Sequence, residues 1–126
     1  MAKKTARILG IITLILAIIG LLVGERQLLN LINVDPAMDA LRIPIAALLL
    51  YAGYARVSSE TLRSALLFVG LVFISIGFLG WGSPTLLGLL PSGLTGFDIV
   101  LHLIAGFVAI WAAVRSDTPT YRAPPM

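Results

Sequence analysis

Long apolar stretches alternate with short polar ones along the whole chain. No charged residue interrupts 8–24 or 64–97, and two further apolar stretches follow Asp39 and Asp98. A helix that crosses a bilayer core of about 30 Å needs roughly 20 mainly apolar residues. The pattern therefore predicts an all-α membrane fold, a four-transmembrane-helix bundle with helices at about 7–24, 36–55, 64–80 and 98–114.

Polar residues at the ends of the apolar stretches indicate where the helices begin. Asp35 precedes Pro36, a pair typical of a helix N-cap and a first helical position. Ser58 or Ser59 is expected to cap the third helix, because serine hydroxyls accept hydrogen bonds from free backbone amides there. Asp98 is expected to cap the fourth helix in the same way.

The segments between the helices differ in character. An apolar stripe along 25–34 predicts a short helix lying in the membrane interface, whereas 82–96 is rich in turn-forming glycine and proline. The second helix is long enough to span the membrane only if Arg42 lies below the membrane surface. Pro44 is expected to kink this helix near Arg42. The proline-containing segment 115–126 is expected to be a loose cytoplasmic tail.

The composition indicates that most of the chain lies in the lipid of a membrane. Hydrophobic residues make up 59% of the sequence, charged residues only 12%, and the mean hydropathy is +1.02. A soluble domain carries roughly 25% charged residues. The net charge of +3 does not indicate a nucleic-acid partner, since the basic residues stand at segment ends. The absence of cysteine excludes disulfides, thiolate metal sites and cysteine nucleophiles.

The distribution of basic residues predicts the orientation. Arg26 and Arg42 fall on one side of the predicted membrane, and the remaining basic residues fall on the other. Because cytoplasmic segments carry the excess of lysine and arginine, we expect a multi-pass protein of the inner membrane with both termini in the cytoplasm. The basic residues assigned to that side are Lys3, Lys4, Arg7, Arg56, Arg63, Arg115 and Arg122.

Two halves of the chain resemble each other. Residues 28–56 and 86–115 both begin with Leu-Leu-x-Leu, pass a turn and reach an aspartate, which is followed by an arginine 17 positions later. Glycines also recur at a spacing of about 60 in the first and third helices. The sequence therefore predicts two tandem helical hairpins that form a parallel repeat about an axis along the membrane normal.

Four ionisable residues are the candidate functional cluster: Asp39, Arg42, Asp98 and His102, the only histidine. The members of each pair are three or four positions apart and share a helix face. Ionisable groups at membrane depth are unfavourable and usually face the protein interior. The cluster is interpreted either as two pairs that lock helix ends or as a pocket for a ligand, with His102 able to hold a haem or chlorophyll.

Small residues recur at four-residue spacing in the first and fourth helices and form a similar strip on the third, and they predict close helix packing. This packing is expected to be internal to the bundle, or alternatively to dock the protein onto another membrane protein. The residues concerned are Gly20, Gly24, Gly70, Gly77, Ala105, Ala109 and Ala113.

Residues 88–106, with the sequence GLLPSGLTGFDIVLHLIAG, resemble a family of small bacterial four-helix membrane proteins, domain of unknown function 4383. The N-terminal RILGIITLILAIIGLLVG is similar to that family's first helix. The resemblance implies that Asp98, His102 and Gly106 stand for the polar cap, the histidine and the following glycine of the family's last helix. It implies a four-helix membrane fold and brings no activity with it.

No arrangement of residues typical of an enzyme is present, and no metal site is expected from a single histidine. The leading hypothesis is a non-catalytic structural or accessory subunit that packs against other membrane helices, in a larger complex or by self-association. One alternative is a protein that binds haem, chlorophyll or lipid through His102. Another is a minimal transporter or channel formed by an oligomer. The sequence does not identify a cofactor.

Overall fold

The computed structural model describes residues 2–23, 27–28 and 32–115. In chain order the elements are α1 (Ala2–Val23), β1 (Gln27–Leu28), β2 (Ile32–Asn33), α2 (Pro36–Tyr54), α3 (Ser59–Gly82) and α4 (Gly96–Arg115). The prediction of four helices is confirmed. The predicted tail after Arg115 lies outside the described residues.

Three helices begin earlier than predicted, and their capping residues explain two of these differences. Ser58 caps α3 as predicted, since its Oγ accepts a hydrogen bond from the amide of Thr61 at 3.1 Å. The prediction that Asp98 caps α4 was wrong. The side chain of Thr95 accepts a hydrogen bond from the amide of Asp98 at 3.1 Å, so α4 begins before Asp98, which lies in its first turn.

The connector between α1 and α2 is not the interfacial helix that its apolar stripe predicts. β1 and β2 pair in an antiparallel hairpin, with Gln27 opposite Asn33 and Leu28 opposite Ile32. Residues 24–26 and 29–31 lie outside the described part. Asn33 is held by tertiary hydrogen bonds to Gly93 and Asp98. These tertiary bonds stabilise Asn33 in the strand conformation of β2.

The bundle consists of two antiparallel helical hairpins. α1 packs mainly on α2, and α3 packs mainly on α4, while α2 and α3 form a smaller contact between the hairpins. The helices run up and down, so the described connector residues 27–28, 32–35 and 83–95 lie at one end, which we call the acidic end after Asp35, Asp39 and Asp98. The opposite end is the basic end, named after Lys3, Lys4, Arg7, Arg56, Arg63 and Arg115.

Small side chains form the whole buried face of α1. Because these residues recur every three or four positions, α2 approaches the α1 backbone closely. The closest approach is at Gly20, where a Cβ atom would collide with the carboxylate of Asp39. The buried residues of α1 are Ala2, Ala6, Gly10, Thr13, Ala17 and Gly20.

The second hairpin is also closely packed at glycine. A Cβ atom at Gly70 would lie 2.9 Å from the carbonyl oxygen of Gly106, and one at Gly106 would lie 2.8 Å from that of Gly70. Gly77 similarly faces Leu103. Ala109 and Ala113 are fully buried, whereas Ala105 is half-buried. The predicted small residues therefore pack inside the bundle, except for Gly24, which lies outside the described residues.

The outer surface of the bundle is apolar along all four helices. Large aliphatic and aromatic side chains are exposed on each of them, for example at Ile15, Leu71 and Ile104. Each helix is long and apolar enough to cross a membrane, by length and composition. The side chains that α1 buries fully are small, and its most exposed side chains are larger ones such as Ile15 and Leu22.

Candidate functional site

The structure brings the four predicted cluster residues together at the acidic end. α2 carries Asp39 and Arg42, and α4 carries Asp98 and His102, each pair within the first two turns of its helix. All four side chains are buried, with 7% exposure or less. The guanidinium of Arg42 interacts electrostatically with Asp39, Asp98 and His102. We call these four residues the polar cluster.

Asp39 and Arg42 form the predicted ion pair, one turn apart on α2. The distance from Oδ1 of Asp39 to Nη1 of Arg42 is 3.5 Å. Charge-assisted hydrogen bonds are shorter, at about 2.7–2.9 Å, and neither atom has a hydrogen bond within the described part of the chain. The pair is therefore loosely coupled, and Gly20 leaves the space in which the carboxylate lies.

Asp98 and His102 interact differently from the predicted side-chain pair. Nδ1 of His102 lies 2.7 Å from the backbone carbonyl oxygen of Asp98, not from its carboxylate. A carbonyl oxygen only accepts hydrogen bonds, so Nδ1 carries a proton, and in the neutral ring Nε2 is left as an acceptor. Oδ2 of Asp98 instead accepts a hydrogen bond from the amide of Asn33 at 2.6 Å.

A second set of residues joins the connectors of the two hairpins, and the sequence did not predict the parts played in it by Asn33, Ser92 and Gly93. Asp35 lies at the N-cap of α2 but makes no side-chain capping bond. Its carboxylate accepts hydrogen bonds from the amide and hydroxyl of Ser92, at 2.9 and 2.7 Å, and from the side-chain amide of Asn33. Asn33 also donates to the carbonyl oxygen of Gly93 at 2.7 Å. We call Asn33, Asp35, Ser92, Gly93 and Asp98 the hairpin lock.

A cavity of about 190 Å³ lies between α1 and α4, and we call it the α1–α4 crevice. The polar cluster borders it through Arg42 and His102, and the ring of Phe73 meets His102 edge-on, with centroids 5.6 Å apart. Apart from Thr13, the remaining lining is apolar: Leu9, Ile12, Leu16, Leu101, Ile104, Ala105 and Val108.

The crevice limits the chemistry that the cluster can perform. Sites for drug-sized ligands measure roughly 300–1,000 Å³, so the crevice of about 190 Å³ is small by comparison. The described residues contain no group of three His, Asp or Glu side chains that could hold a metal ion. α2 continues through Pro44 as one helix, so Pro44 does not break the helix as transporter sites often require.

Comparison with family models, with curated proteins and with solved structures found no significant match. The resemblance of residues 88–106 to domain of unknown function 4383 therefore stays a prediction. The functional proposal therefore rests on the geometry of the acidic end.

Proposed function

We propose that this chain is an integral protein of the bacterial inner membrane, with both termini in the cytoplasm. We further propose that it acts as a non-catalytic structural or accessory subunit, which packs against other membrane helices. The apolar outer surface of all four helices supports the membrane placement. The concentration of lysine and arginine at the basic end supports the orientation, because cytoplasmic segments carry such an excess.

The hydrogen bonds of the hairpin lock are the main support for a structural role. Asp35 and Asn33 direct their polar atoms to the other connector and not to an open cleft. The polar groups thereby fix the two hairpins in one arrangement, while the outward-facing side chains in the spans are mainly apolar. A rigid bundle with an apolar outer surface is suited to packing in a membrane assembly.

We also propose that the two hairpins are tandem repeats of one unit. Gly10 and Gly70 both lie at the close contact inside their own hairpin. Further along, Gly20 meets Asp39, and Gly80 meets Leu94 and then Ile99, which follows Asp98. These matched contacts, at the spacing of about 60 seen in the sequence, support a parallel repeat.

The native mass after mild-detergent extraction from the source organism tests the accessory role. We expect a tagged chain, expressed at its native level, to migrate within a larger assembly whose other members can be identified by mass spectrometry. Migration as a monomer or small homo-oligomer in the mildest detergent that extracts it would contradict the accessory role.

Tryptophan substitutions on the outer face identify the docking helix in the same experiment. Ile43, Leu71 and Ile104 are exposed on α2, α3 and α4, and Ile15 is exposed on α1. We expect Trp at one of these positions to release the chain from the assembly, because a larger side chain prevents close packing. The other three variants serve as matched controls and should stay in the assembly.

A further inference from the structure

We propose that the α1–α4 crevice binds a neutral, hydroxyl-bearing aromatic ring at the end of an apolar chain, such as a phenol or hydroquinone, which enters from the lipid. This site goes beyond the structural role proposed above and does not depend on a partner protein. It rests on the size of the crevice, on where it opens, and on the two polar side chains at its base.

The volume of the crevice suits a single ring. An apolar cavity of roughly 150 Å³ is large enough to bind benzene, and the crevice measures about 190 Å³. Apart from Thr13, Arg42 and His102, every side chain that lines it is apolar. One six-membered ring therefore fits, with the attached chain leaving through the opening.

The crevice opens towards lipid. α1 packs mainly on α2, and α4 packs mainly on α3, so the seam between α1 and α4 is the less closely packed one. Ile12 and Ile104, which line the crevice from opposite sides, are also exposed on the outer surface. In the proposed membrane placement, a ligand reaches the cavity sideways from the acyl chains.

The depth of the polar side chains excludes the headgroup of an ordinary phospholipid. Arg42 and His102 each lie six residues after the first residue of their helix, which is roughly 9 Å along the axis at 1.5 Å per residue. A phospholipid headgroup stays in the interface, above that depth. A ring on an apolar chain is soluble in the acyl region and reaches both residues.

The polar side chains at the base specify a hydroxyl group. Nε2 of His102 is an acceptor because Nδ1 holds the proton. The guanidinium of Arg42 only donates hydrogen bonds. A hydroxyl group satisfies both residues, since it donates to Nε2 through its proton and accepts from the guanidinium through its oxygen.

The charges around the crevice favour a neutral ligand. Arg42 is already paired with the carboxylate of Asp39 at 3.5 Å, so it offers little uncompensated positive charge to an anion. A cation would be repelled by Arg42 itself and would find no open carboxylate among the residues that line the crevice. The ring that binds is therefore uncharged.

Nitrogen-15 NMR of the histidine ring tests the site directly, because the chain has one histidine. The full chain, labelled with [¹⁵N]-histidine in lipid nanodiscs, is titrated with 4-hexylphenol. We expect a saturable change in the Nε2 resonance. Hexylbenzene, which makes neither hydrogen bond, should give at most a small change at the same concentration, and 4-hexylanisole, which accepts but does not donate, should bind about tenfold more weakly because it lacks one hydrogen bond.

Matched variants locate the binding. Phenylalanine at Ala105 fills the crevice, whereas phenylalanine at Ala47 adds the same bulk on the exposed face of α2. We expect Ala105→Phe to abolish the response to 4-hexylphenol and Ala47→Phe to keep it. Val108→Phe fills the crevice from another position and replaces Ala105→Phe should that variant not fold.

Three results would overturn the proposal. The first is no change, or no saturation, with 4-hexylphenol. The second is an equal response to hexylbenzene, which would show that the hydroxyl is not recognised. The third is stronger binding of 4-hexylbenzoate than of 4-hexylphenol, which would show that the site takes an anion.

Discussion

Charged side chains are accommodated differently at the two ends of the bundle. At the basic end, Lys3 donates to the carbonyl oxygen of Ala55 at 3.2 Å, and Arg7 donates to that of Gly53 at 2.6 Å. The guanidinium of Arg7 also lies over the ring of Tyr54, 4.7 Å from its centre. At the acidic end, by contrast, the carboxylates are buried.

The difference follows from side-chain length. Lysine and arginine can bury their aliphatic part and keep the charge at the surface, so the basic end stays in contact with water and with the carbonyl groups at the end of α2. Aspartate is too short to do so, and each buried carboxylate needs partners inside the protein. The fold should therefore be sensitive to substitutions at the acidic end and tolerant of them at the basic end.

The largest effect is expected for Arg42→Met, which leaves the carboxylates of Asp39 and Asp98 without their cation. Removing one partner of a buried ion pair costs about 3–5 kcal/mol. We expect a loss of that size in the free energy of unfolding, measured by denaturant titration in detergent. The double variant Asp39→Asn, Arg42→Met should recover part of the loss, and a loss below about 1 kcal/mol for Arg42→Met would argue against a buried pair.

A smaller loss is expected for Gly70→Ala, because the added methyl group would meet the carbonyl oxygen of Gly106. Overpacking of this kind costs about 1–3 kcal/mol. Gly82→Ala is the matched control, since a Cβ atom at Gly82 would meet nothing within 4 Å. Thermal unfolding of both variants in detergent checks this, and equal melting temperatures would contradict the close contact between α3 and α4.

Asp35→Asn distinguishes the hairpin lock from a helix cap. Asparagine and aspartate are about equally good N-cap residues, so a capping role predicts no change. In the lock, asparagine keeps one oxygen for the amide of Ser92 and the side chain of Asn33, but it lacks the charge that strengthens these hydrogen bonds. We expect a loss of about 1–2 kcal/mol of folding free energy from the weakened hydrogen bonds, and unchanged stability would show that the lock contributes little.

The smallest effect is expected at the basic end. Arg115 lies over the ring of Trp111, 5.5 Å from its centre, and an exposed interaction of this kind contributes about 0.5–1 kcal/mol. Arg115→Gln should therefore change the free energy of unfolding by less than about 1 kcal/mol. A loss as large as that of Arg42→Met would remove the contrast between the two ends.

The sequence predicted the parts of the fold that depend on local spacing. Apolar runs located the four helices, and spacing within helices placed Asp39 with Arg42. The equivalent positions of Asp98 and His102 on α4 predicted that both pairs lie near one end. The sequence prediction of close packing named only Gly20 and Gly24 of the small residues near α1, although small residues recur every three or four positions from Ala2 to Gly20.

The hairpin lock depends on contacts that local spacing does not encode. Asp35 and Ser92 are 57 residues apart in the chain. Asp35 before Pro36 suggested a cap, and only the packing of the two hairpins shows that its carboxylate is used elsewhere. Similarly, the backbone carbonyl of Asp98 competes with its carboxylate for His102, and residue spacing alone cannot distinguish the two acceptors.

The most direct test is the accessibility of one cysteine at each end, since the chain has no cysteine of its own. Leu87 lies in the exposed connector at the acidic end, and Ser59 lies at the exposed start of α3 at the basic end. Each is replaced by cysteine in a separate variant, Leu87→Cys or Ser59→Cys. In spheroplasts treated with a membrane-impermeant maleimide, we expect labelling at position 87 and none at 59 until the membrane is permeabilised. Labelling of both positions from outside would contradict a bundle that spans the membrane, and labelling of 59 alone would contradict its orientation.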